Sequence, residues 1–156
     1  MENEKLIEEI EIEIERIEML FENYKPLLRK VKTKEPNFIE TASLAMLLHS
    51  FYNGIENIFI RIAKEIDQKL PQGSGWHKEL LNQMTEKTPI RKQVVLSEEM
   101  VRELEEYLGF RHFSRHAYAF DLNWKLMKEL VLRLSQIKEK VCGEIKLFIL
   151  NFKKVS

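Results

Sequence analysis

Residues 6–24, LIEEIEIEIERIEMLFENY, decide the fold class. Part of the stretch, EIEIEI over residues 9–14, alternates as a half-buried strand would. Yet Ile7, Ile10, Ile14, Ile17, Phe21 and Tyr24 recur at spacings of 3, 4, 3, 4 and 3, and this seam runs well past strand length. It is the apolar stripe of a long helix. Pro26 is expected to kink or end that helix, with Lys34-Glu35-Pro36 as a connection.

Helical signals continue outward from this segment. Asn37 with Glu40 three residues later predicts a capped start. Phe38, Leu44, Leu48, Phe51, Ile55, Ile58, Phe59, Ile62 and Ile66 mark a second long helix, and Gly54 inside it suggests close helix packing. Pro71-Gln72-Gly73-Ser74-Gly75 is a break. Trp76 to Met84 reads as a shorter helix with Ser74 as its N-cap, and residues 85–96 are ambiguous. Ser97 followed by Glu98 and Glu99 starts another helix, expected to stop near Gly109 in a left-handed C-cap. Asp121 or Asn123 caps a final helix whose apolar line includes Leu126, Leu130, Leu134, Ile137, Val141 and Phe148. The expectation is all-α: an antiparallel bundle of four to five helices in a single domain, residues 1–156.

Composition agrees with such a chain. At 156 residues, 44% hydrophobic and 32% charged, with 5 Gly and 4 Pro, it fits one helical globular domain. No run approaches the roughly 18 apolar residues that span a bilayer, and the acidic MENEKLIEEI start is unlike a secretory signal. A cytoplasmic location and no membrane partner follow. The lone Cys142 forms no internal disulfide, no Cys/His set resembles a zinc site, and neither metal nor cofactor is expected. Net charge is zero but uneven. Residues 1–22 hold nine Glu against Lys5 and Arg16, whereas from Lys125 onward eight Lys/Arg face three Glu. A solvated face on each helix explains this, and so does an anionic partner such as RNA.

Residues 110–120, FRHFSRHAYAF, carry chemistry. Arg111, His112, Arg115, His116 and Tyr118 are interleaved with Phe110, Phe113 and Phe120. Metal-free RNA cleavage requires a proton to leave the 2′-hydroxyl and another to reach the departing 5′-oxygen. Histidine is suited to both transfers near neutral pH. An arginine fork can hold the phosphate, and aromatic rings can stack unpaired bases. Three other readings stand beside this one. The segment could be a basic helix start without a role. His112 and His116, at i,i+4, could ligate a metal on one helical face, although no third acidic or thiol ligand lies close in sequence. Tyr118 and the phenylalanines could be core, which is the expectation for the phenylalanines. Elsewhere, Glu56 and Asp67 lie near one helical face and could share a groove, with exposed salt-bridge partners the simpler expectation. His77 reads as a surface histidine and His49 as a satisfied core or edge residue.

The motif R-H-x3-H-x-Y, residues 111–118, resembles the HEPN superfamily, in particular its HepT-like ribonuclease toxins, encoded beside MNT-type minimal nucleotidyltransferase antitoxins. YNGIENIFIRIAKEID and LPQGSGWHKELL are similar to the same branch, so the resemblance spans about residues 40–130. It implies a homodimeric RNA endonuclease in which two Arg/His motifs face each other across a cleft. That would give the reaction the second histidine a single motif lacks. Arg111 and His116 would be catalytic, with His112 and Arg115 supporting the motif. The antitoxin would silence the toxin by adding AMP to Tyr118. The alternative is a non-catalytic helical module that binds a nucleotidyltransferase or nucleic acid.

Overall fold

The isoleucine seam is buried in the computed structural model, which describes residues 2–155. Ile7, Ile10, Ile14, Ile17 and Phe21 all lie in the core, whereas Ile12 is 48% exposed. Helical periodicity therefore sorts the side chains, and the local alternation does not. The resulting helix, α1, spans Glu2–Lys30 and continues through Pro26, where a kink or an end was expected. Pro26 and Glu22 both face solvent, so the Glu22 carbonyl that loses its donor can be hydrated. Leu27 and Leu28 hold the last turn against the core.

Helix α2, Phe38–Arg61, begins at the expected capping box: Glu40 N–H donates to Asn37 Oδ1 (2.8 Å) and Asn37 N–H to Glu40 Oε1 (3.0 Å). Beyond Arg61 the helix widens into a π-helical segment, Ile62–Asp67, and ends at left-handed Gln68. Helix α3, Trp76–Met84, starts from Gly75 at φ 78°, and Ser74 provides no side-chain cap. A backbone turn that glycine adopts cheaply takes the place of the hydroxyl. Residues 85–96 form neither helix nor strand, yet Val95 and Leu96 are buried and donate their N–H groups to Met84 O (2.8 and 3.1 Å).

Helix α4, Glu98–Ser114, is capped by Ser97, whose Oγ accepts from Met100 N–H at 3.1 Å. It runs past Gly109, correcting the expected stop. Gly109 has no left-handed conformation, and Tyr107, Leu108 and Phe110 bury an apolar stripe across it. Their burial outweighs the roughly 1 kcal/mol that glycine costs in a helix. After a short 3-10 turn at Ala119–Asp121 comes α5, Trp124–Val155. Asn123 caps α5 by accepting Lys125 N–H at 2.9 Å. The expected α5 stripe is buried except at Leu126, which faces solvent.

The fold is an all-α bundle with α2 at its centre, touching α1, α3, α4 and α5. Part of the uneven charge is met between helices. Acidic α1 meets basic α5 at Glu18–Lys138 and Glu11–Lys153, and Arg133 of α5 binds Glu103 and Glu106 of α4. Among the described residues, no helix is long and apolar enough to cross a membrane.

The α1–α2 approach depends on Gly54, where an added Cβ would lie 2.9 Å from Ile17 Cγ1. Gly54→Ala should therefore destabilise by about 1–3 kcal/mol through overpacking, despite alanine's better helix propensity. Gly143 in α5 faces open space, so Gly143→Ala should stabilise by about 0.5–1 kcal/mol. Urea unfolding measures both, and changes of the same sign would contradict the close approach of α1 and α2.

Candidate active site

The site grows from one face of α2. His49, Tyr52, Asn53 and Glu56 follow at helical spacing, and the last turn of α4 brings Arg111 and His112 against them. Because α4 continues through Gly109, Arg111 sits on a rigid helix rather than in a loop. Its Nε donates to Asn53 Oδ1 at 2.8 Å, and its Cζ lies 6.0 Å from the Tyr52 ring centroid. The Asn53 amide also reaches His49, with Nδ2 2.9 Å from Nε2. Arg111 Nη1 and the Tyr52 hydroxyl are buried without a hydrogen-bond partner.

A second group adjoins it from α3. His77 Nδ1 is 2.7 Å from Glu56 Oε2, and Glu56 is 5% exposed. The Trp76 ring covers His77 at 3.7 Å between centroids, and the His77 and His112 rings meet edge to face at 5.4 Å. The expectations of an exposed Glu56 and a surface His77 are thus corrected, because each gives the other a hydrogen-bond partner away from water. Asp67 is also buried, but it pairs with Arg91 and shares no partner with Glu56. His49 is half-buried and hydrogen-bonded, as an edge residue would be.

The electrostatics follow from this packing. Burial lowers the His49 pKa, and the charges of Arg111 and Arg115 lower it further. Burial likewise lowers His112, with His77, Arg111 and Arg115 adding to the effect and Glu56 opposing it. Burial raises the Tyr52 hydroxyl, and the Glu56 charge raises it further.

The remaining motif residues lie beyond the helix. Arg115 is the α4 C-cap, exposed to solvent, and the backbone N–H of His116 donates to Phe113 O at 3.3 Å. His116 is exposed. It has left α4, so the i,i+4 helical face that would pair it with His112 on a metal is not formed. Among the described residues, no three His, Cys, Asp or Glu side chains group so as to hold a metal. Tyr118 and Phe120 are 70% and 74% exposed and stack with rings nearly parallel, 5.2 Å apart. Phe113 is also exposed, and only Phe110 joins the core. The expectation that these phenylalanines are core therefore holds for Phe110 and fails for Phe113, on the exposed end of α4, and for Phe120, beyond the helix.

Sequence reasoning assigned no role to Tyr52, Asn53 or Trp76. The signal was present as a polar set at 49, 53 and 56 on an otherwise apolar helix. A family model described as HepT-like protein matches residues 43–152, covering α3, α4, the motif and most of α2 and α5. No curated protein and no solved structure matches the chain.

In the folded protein His49 and His112 both titrate below the ordinary imidazole value. Their contribution to stability is complete above that value and is lost as the pH falls through the window below it. Arg111→Gln removes a charge that lowers both, so NMR titration should show the His49 and His112 pKa values rising together. No change at either histidine would contradict the packing of Arg111 between them.

Proposed function

The chain belongs to the HepT-like family, and from that premise we propose that it is an RNA endonuclease acting as the toxin of a toxin–antitoxin pair in the cytoplasm. The observation that carries this reading is the anchored arginine. Arg111 is fixed by Asn53 on the central helix, and His116 stands exposed just past the end of the same α4 helix. Arg111 Nη1 is buried without a hydrogen-bond partner, an orphaned cationic donor that an RNA phosphate entering the cleft would satisfy. His116 serves as general acid or base, and His112 and Arg115 support the motif.

The active form is a homodimer in which two motifs share one cleft. Mixing inactive Arg111→Ala and His116→Ala chains should restore part of the activity. A fully active monomer would refute this arrangement. The partner is an MNT-type nucleotidyltransferase that silences the site by adding AMP to Tyr118. The exposure of that phenol supports the assignment, and an attached nucleotide would repel RNA phosphates.

Two outcomes follow. With EDTA present, cleavage should leave a 2′,3′-cyclic phosphate and a 5′-hydroxyl, whereas a 3′-hydroxyl product or loss of activity on chelation would sink the mechanism. Incubation with the nucleotidyltransferase and ATP should add AMP mass to wild type and silence it, and Tyr118→Phe should stay active. Full neutralisation of the phenylalanine variant would rule out the tyrosine switch.

A further inference from the structure

RNA cleavage needs two proton transfers; the second His116 of a dimer is one source for the second of them, and each chain carries another candidate beside Arg111. The group formed by Glu56, His77 and His112 has no role in that scheme. Burying an ionised carboxylate on the central helix is costly unless something compensates it. Glu56 is compensated by His77 Nδ1 at 2.7 Å. This bond uses the Nδ1 proton of His77 and fixes its ring, the way a carboxylate orients an imidazole that handles protons. Trp76 covers one ring face of His77, and the edge-to-face contact turns the pair toward His112. His112 adjoins Arg111 in sequence and is exposed, so it can meet a substrate held by that arginine.

We propose that Glu56 and His77 form a charge-balancing pair that makes His112 the proton acceptor for the RNA 2′-hydroxyl, an inference that rests on the ribonuclease reading above. Neutral His112 takes the 2′-hydroxyl proton, and the freed oxygen forms a bond to phosphorus. The bond from phosphorus to the 5′-oxygen breaks with its electron pair on that oxygen, which receives a proton from the His116 imidazolium. Proton exchange with water then resets both histidines. His112 is catalytic in this scheme, and Glu56 and His77 are positioning residues.

The charges around His112 suit an acceptor. From α3, His77 lowers its pKa, as do Arg111 and Arg115 at the end of α4. From α2, the Glu56 carboxylate opposes them. The imidazole is therefore neutral near pH 7, and Glu56 supplies negative charge as the imidazolium forms.

The test is the pH dependence of kcat on a single-stranded oligoribonucleotide. His112→Gln should lower kcat by about 10²-fold or more, with KM changed only a few-fold. Glu56→Gln should lower kcat by about tenfold and move the acidic limb to lower pH, because the charge that raises the His112 pKa is gone. Glu56→Asp should restore part of both. His77→Gln, which removes a charge that lowers His112, should move the same limb upward and carries the test if Glu56→Gln fails to fold. Wild-type kcat in His112→Gln, while His116→Gln is inactive, would overturn this proposal alone. Lower activity with an unmoved limb in the folded Glu56 and His77 variants would reduce the pair to a structural contact and also overturn it. Wild-type protein that leaves the RNA intact would overturn the ribonuclease reading and this proposal together.

Discussion

Arg91 is fully buried, and every one of its guanidinium N–H groups has an acceptor. Nε and Nη2 grip the two oxygens of Asp67 at 2.8 and 2.9 Å, and the others reach the carbonyls of Glu86, Gln93 and Gln83. Gln83 and Thr88 complete the hydrogen bonding of Asp67. Residues 85–96 have no helix of their own, so this pair fixes the path from α3 to α4 against the end of the α2 rod. A buried pair satisfied this completely holds one geometry, and loss of one partner typically costs about 3–5 kcal/mol. The site depends on that path, because His77 arrives on α3 and Arg111 and His112 arrive on α4.

Helix α2 then has two tasks. Leu44, Leu48, Phe51, Ile55, Ile58 and Phe59 make it the hub of the core, and Tyr52, Asn53 and Glu56 support polar chemistry from the same rod. Two of these polar groups are met from another element, Asn53 by Arg111 and Glu56 by His77, whereas the Tyr52 hydroxyl is buried without a partner. Side chains fixed by packing hold their geometry better than side chains on a loop. Arg111 has such support, whereas His116 and Tyr118 stand exposed on the turn beyond the helix.

Most of the fold was legible in the sequence because it rests on periodicity and caps. The seam at 7–21, the capping box at Asn37 and Glu40, the bounds of α3 and the cap at Ser97 are all local signals. The errors lay where tertiary burial outweighed a local preference. Pro26 read as a kink or an end and Gly109 as a stop, yet the apolar stripes around them kept the helices running. The candidate site was legible as a motif at residues 111–118, but its supports were not. Asn53, Glu56 and His77 lie far from that motif in sequence, and a buried carboxylate cannot be told from an exposed one until its partner is placed. Arg91 was invisible for the same reason: nothing near it in sequence announces Asp67.

The central claim is that this chain cleaves RNA with its own Arg111 and His116. Purified wild type, Arg111→Ala and His116→Ala, incubated with single-stranded RNA in EDTA, test it most directly. The account predicts cleavage by wild type and a loss of at least about 10²-fold in rate for each folded variant. A His116→Ala protein that cleaves at the wild-type rate would contradict it.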